Sequence, residues 1–100
     1  MRQLRVDARQ AAEAAAERLA TTLGARRIFL FGSLARGIRF DEHSDVDLAV
    51  EGIPPQRRFE ATLLAEESGG RFAFDVVPIE NAPDSLRERI EREGIRLWPR

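Results

Sequence analysis

The period of the hydrophobic positions changes several times along this chain, and each change marks an element. Between residues 4 and 23, Leu4, Ala8, Ala11, Ala12, Ala15, Leu19 and Leu23 recur at three- and four-residue steps, the spacing of one helical face. Alanine, the best helix former, dominates this run, and Gly24 supplies a stop. Arg27 to Phe31 is a short apolar stretch ending at Gly32, which predicts a buried strand. Residues 33–37 suit one short helical turn, and 38–44 read as a polar loop. Val46, Leu48 and Val50 then alternate with Asp45, Asp47 and Ala49, which predicts a strand with two unlike faces.

The second half repeats the alternation. Pro54 and Pro55 open a helix, because proline suits the first turn. Phe59, Leu63 and Leu64 are its expected buried stripe, and Gly69-Gly70 ends it. Phe72 to Ile79 reads as a third strand. Pro83 begins a last helix with Leu86 and Ile90 facing inward, a Glu88–Arg92 surface pair and Gly94 as its stop. Ile95 to Trp98 reads as a closing strand, with Trp98 anchoring a small core. The predicted fold is a single α/β domain over residues 1–100, a small mixed sheet flanked by helices. Helical segments between strands favour crossovers over tight hairpins.

Composition narrows the chemistry. All 16 basic residues are Arg, and there is no Cys. That excludes a disulfide scaffold, a thiol nucleophile, a Schiff-base lysine and a Walker-type phosphate lysine. A basic side chain that meets a phosphate here must be an arginine. The net charge of −1 argues against non-specific nucleic-acid binding. No run approaches the length of a membrane span, and the first residues lack the apolar core of a signal peptide. These features predict a soluble, cytoplasmic protein without a membrane partner.

Three places near strand ends break the expected rules. Gly32-Ser33 follows a strand and precedes a helical turn, so backbone N–H groups and a hydroxyl face whatever lies above; an ordinary capped turn has the same sequence. Asp45 and Asp47 sit two apart on a strand, so both carboxylates point the same way. Such like charges call for a hard cation such as Mg²⁺, or else for a solvated face. Asp75 lies inside the apolar run Phe72-Ala73-Phe74-Asp75-Val76-Val77, where it needs a metal or an arginine. Together the three are the parts of a two-metal phosphoryl-transfer site.

At these residues the chain resembles a known family. Phe31-Gly32-Ser33-Leu34-Ala35-Arg36-Gly37, followed by Ser44-Asp45-Val46-Asp47-Leu48-Ala49-Val50, is similar to the signature of the DNA polymerase β nucleotidyltransferase superfamily. The similarity is greatest to the minimal nucleotidyltransferases, usually the antitoxin partners of HEPN-domain toxins. It extends through Phe74-Asp75-Val76-Val77 to Glu93-Gly94-Ile95-Arg96-Leu97. Eleven residues separate Ser33 from Asp45, one more than the minimal subgroup usually has, which lengthens the 38–43 loop.

The resemblance implies a palm-like nucleotidyltransferase fold and a set of roles. Gly32 and Ser33 hold the β- and γ-phosphates of ATP. Asp45 and Asp47 bind two Mg²⁺ ions. Asp75 binds the second of these and helps activate the attacking hydroxyl. Arg36 contacts the triphosphate or pairs with a strand carboxylate. The implied activity is transfer of AMP from ATP to a tyrosine of a HEPN toxin, silencing it. Alternatives are a non-catalytic antitoxin that masks its partner, and nucleotide addition to RNA, which the net charge disfavours. A chain this short leaves the acceptor surface to a partner protein or a second copy. His43, Arg26-Arg27, Arg57-Arg58 and the Arg2, Arg5, Arg9 row are read as solvated side chains at element ends and faces.

Overall fold

In a computed structural model, residues 2–100 are described. Their elements follow the order α1 (Arg2–Leu23), β1 (Arg27–Phe31), α2 (Gly32–Arg36), β2 (Val46–Glu51), α3 (Arg58–Gly69), β3 (Phe74–Pro78), α4 (Asp84–Glu93) and β4 (Ile95–Trp98), with short 3₁₀ turns before α3 and α4. The strands form one mixed sheet in the order β3-β2-β1-β4. β2 and β3 are parallel, while β1 runs antiparallel to both β2 and β4.

The crossover expectation therefore holds for α3, and for α4, which carries the chain from one edge strand to the other. It fails for α2. A helix of five residues rises only about 7 Å, less than half the roughly 17 Å length of a five-residue strand. It cannot carry the chain back to the start of β1, so the chain returns antiparallel. The loop after α2 is held rather than loose. Phe40 is buried and lies against Phe72, with ring centroids 6.4 Å apart. The Asp41 side chain accepts the His43 N–H at 2.9 Å, and the Asp41 N–H donates to Ser44 Oγ at 3.0 Å. The His43 N–H holds the Asp41 carboxyl below the usual range.

The two sheet faces differ. Ile28, Leu30, Val46, Leu48, Val50, Phe74 and Val76 join the main core, where α1 and α3 cover them. On the other face Phe29, Ala49, Ile79 and Ile90 make a smaller cluster, with Phe31 and Leu86 at its margin. Leu86 and Ile90 thus face inward as expected, and Trp98 packs at the edge of the main core.

α3 departs from its expected stripe. Phe59 is 73% exposed and Leu63 50% exposed; the buried positions are Ala61, Ala65 and Gly69, with Leu64 half-buried. The helix meets α1 through small residues on both sides, because Ala8, Ala11, Ala12 and Ala15 are buried too. Small side chains let two helices approach closely, and a Cβ at Gly69 would run into the Phe74 ring. Phe59 lies two residues, about 200° of helix, from Ala61, so it turns outward. Two smaller expectations also change. β3 begins at Phe74 rather than Phe72, and Arg92 lies 3.6 Å from Glu93 rather than pairing with Glu88.

Candidate active site

The site grows out of strand register. Residues directly opposite each other on paired strands share a face. Phe31 pairs with Asp47 across β1/β2, and Asp47 pairs with Asp75 across β2/β3. Phe31, Asp47 and Asp75 therefore form one row on the sheet face opposite the main core. Asp45, just before β2, adds its charge to the same place. The alternation read from sequence is borne out: Val46, Leu48 and Val50 are fully buried, while Asp47 is half-buried and Asp45 exposed.

Asp47 sits under visible electrostatic tension. Its carboxyl is pushed up from 3.8 to about 6, first by burial and then by the charges of Asp75 and Asp45. Asp47 and the two carboxylates whose charges bear on it are a donor set suited to a hard divalent cation. Gly32 adds a second sign. Its φ is +78°, and a Cβ there would land on the Asp47 carboxylate. The absence of a side chain at Gly32 is what lets the start of α2 press against that group. The residue types and this cradle fit a bound cation. As they stand, no three acidic or histidine side chains among the described residues are gathered as a metal cluster.

Asp75 is engaged elsewhere. Arg58, the first residue of α3, donates from Nη2 to Asp75 Oδ1 at 3.1 Å. Of the two partners foreseen for Asp75, a metal or an arginine, the arginine is the one in contact. Reading Arg57-Arg58 as solvated helix ends missed this pairing. Arg57 binds Glu60 through two hydrogen bonds of 2.9 and 3.0 Å, while Arg58 reaches across to β3. The signal was the isolated acid in an apolar strand, which demanded a cation without saying which one.

The remaining candidates fall around this row. Gly32 and Ser33 open α2, whose start has no side-chain cap; Gly37 closes it, donating its N–H to the Ser33 carbonyl. Arg36 is exposed and makes no ion pair among the described residues, so the strand-carboxylate alternative does not describe it. It lines a cavity of about 130 Å³ between α2 and α4, together with Phe31, Gly32, Leu86, Arg89 and Glu93. His43 is exposed and takes part only through its backbone N–H on Asp41. Arg27 is not solvated as expected: it makes a bidentate contact with Glu51 on β2, at 2.9 and 3.1 Å. Arg5 donates to the Ile38 carbonyl, and Arg9 lies 3.2 Å from Glu13.

A mixed four-stranded sheet with a glycine–serine turn and paired strand acids defines the nucleotidyltransferase class. The family profile "Polymerase beta, Nucleotidyltransferase" matches residues 13–100. The chain belongs to that family. A solved minimal nucleotidyltransferase is 34% identical to it, with 87% of this chain and 89% of that one covered and a TM-score of 0.71. A toxin–antitoxin structure with AMP-PNP is 24% identical over 86% of this chain and 72% of that one, with a TM-score of 0.72. The MntA-HepT toxin–antitoxin structure is 20% identical over 90% and 71%, with a TM-score of 0.68. These last two share the fold. No curated protein sequence matches significantly.

Proposed function

We propose that this protein is a Mg²⁺-dependent nucleotidyltransferase that moves AMP from ATP to a tyrosine of a HEPN-domain toxin, and so acts as its antitoxin. The observation that carries the reading is the acid row set against the α2 turn. Asp47 and Asp75 are directly paired across parallel strands, and Gly32 lies against the Asp47 carboxylate. Membership of the family supports the nucleotide and the transfer. The fold shared with toxin–antitoxin proteins, one of them with AMP-PNP, supports the partner and ATP.

Asp45, Asp47 and Asp75 hold two Mg²⁺ ions, which neutralise charge on the attacking and leaving oxygens when bound. Gly32 and Ser33 hold the β- and γ-phosphates through backbone N–H groups and the Ser33 hydroxyl. Arg36 adds a cation to the triphosphate, a role consistent with its exposure and its lack of an ion pair among the described residues. Asp75 lies at the β3 end of the row and helps draw the proton from the acceptor hydroxyl. That oxygen bonds to the α-phosphorus, and pyrophosphate departs with the electron pair of the broken P–O bond. Positioning supplies much of the remaining acceleration.

The test is direct. Purified protein with Mg²⁺, ATP and the toxin gives an AMP-sized mass increase on a toxin tyrosine. Asp47→Ala lowers that transfer by at least about a hundredfold, since even groups that merely orient metal ligands are worth 10–100-fold. Transfer that survives this substitution would remove the metal assignment. The Arg58–Asp75 ion pair favours a second reading, in which the acids are idle and the protein masks its toxin by binding. Neutralisation of the toxin by the Asp45→Ala, Asp47→Ala double variant would select that reading.

A further inference from the structure

We propose that Arg58 is a built-in counter-ion for Asp75, displaced when a divalent cation enters the acid row. The inference rests on the reading of that row as a metal site. It makes Arg58 a positioning residue, one that sets where Asp75 is held before the cation arrives.

The placement is specific. Arg58 is the first residue of α3, and Asp75 lies on β3, the strand to which α3 leads. The guanidinium thus comes from a fixed helix start rather than from a flexible loop. Of the adjacent pair of arginines, Arg57, just before α3, is bound to Glu60 in that helix's first turn, and Arg58 alone crosses to the sheet. Among the described residues, Arg58 is the one cation in ion-pair contact with Asp45, Asp47 or Asp75. Without it, Asp75 would face Asp47 across the β2/β3 pair with no cation in contact.

The contact is also easy to open. Its two side chains are 50% and 48% exposed, so parting them disturbs no core packing. Arg58 and an arriving cation compete for the same carboxylate. Water weakens such an exposed pair, so its loss is expected to be worth only about three- to fivefold in cation affinity. A latch of that strength holds Asp75 in the free protein and yields at modest cation concentration.

The experiment measures Mn²⁺ binding to the full chain by calorimetry, without nucleotide or toxin. Arg58→Gln is expected to bind Mn²⁺ about three- to fivefold more tightly than the unchanged protein. Arg57→Gln removes the same charge one residue away and is expected to bind as the unchanged protein does. A second readout uses Mg²⁺ and the guanidinium NMR signals: the Arg58 signal shifts on saturation, while that of Arg57 stays. Equal or weaker binding by Arg58→Gln overturns the latch, as does equal tightening by Arg57→Gln. Asp47→Asn separates the two layers of inference. If it binds Mn²⁺ as well as the unchanged protein, the metal site is wrong; if it loses binding while Arg58→Gln changes nothing, only the latch is wrong. Absence of Mn²⁺ binding in every variant overturns both.

Discussion

The two faces of the sheet divide the work between them. On the α1/α3 side, Ile28, Leu48, Val50 and their neighbours are sealed from water, and the helices close over them through alanines. On the α4 side, the apolar cluster is small, and the row that continues from Phe31 turns acidic at Asp47 and Asp75. One strand serves both. Along β2, Leu48 belongs to the sealed face and Asp47 to the open one. The difference teaches that sealed packing and clustered acidic charge are set here at the level of single neighbouring residues.

The sharpest way to break this comparison is to truncate each neighbour in turn. Leu48→Ala removes a fully buried side chain from the main core and should cost about 2–5 kcal/mol in urea unfolding. The neighbouring Asp47→Asn should do the reverse. The Asp47 carboxyl titrates near 6 in the fold, against 3.8 for the free group, so the folded state holds that proton more tightly. Stability from this group is therefore highest at low pH and falls as pH rises from about 4 to 6. Above that window the penalty is complete, at most about 2 kcal/mol once the roughly 1.4 kcal/mol per unit is discounted for the water that still reaches this half-buried group. Asn carries no such charge. In metal-free buffer Asp47→Asn should exceed the unchanged protein by that amount at pH 7 and match it below pH 4. Equal stability at both pH values would remove the electrostatic account of Asp47.

Gly32→Ala probes the border between the faces. A side chain at a φ of +78° costs about 1–2 kcal/mol by itself. The new Cβ also meets the Asp47 carboxylate, so the two positions are coupled. Chemical denaturation should show Gly32→Ala costing less in an Asp47→Ala background, by at least about 0.5 kcal/mol. Additive effects would mean that Gly32 is required for its backbone angle alone.

Much of this was legible in the chain. Alternation along Val46–Val50 gave both the buried side of β2 and the shared side of Asp45 and Asp47. The helical period located α1, and Gly32-Ser33 with the three acids pointed to the family. What stayed hidden depended on distant segments. That β1 and β2 run antiparallel follows from α2 being too short to span a strand, a matter of length rather than pattern. That Arg58 binds Asp75 follows from α3 leading back to the sheet beside β3, which no local period encodes. Ala49 looked like a solvent-side residue, yet it is fully buried, because Ile79 and Ile90 fold over it from the far end of the chain.

α3 offers the smallest effect and the cleanest contrast with the sealed face. The sequence period favoured Phe59 and Leu63 as buried anchors, but the helix buries its alanines and Gly69 instead. Hydrophobicity lost to close packing: small residues on both helices bring their backbones together, and the larger side chains are left outside. If Phe59 were an anchor, Phe59→Ala would cost about 3–5 kcal/mol, as for other buried aromatics. Because the side chain is 73% exposed, the substitution should instead fall within about 0.5 kcal/mol of the unchanged protein. Urea unfolding of this variant beside Leu48→Ala reads the difference directly. A loss near that of Leu48→Ala would mean that α3 is rotated in solution and that Arg58, one residue before Phe59, no longer points at Asp75.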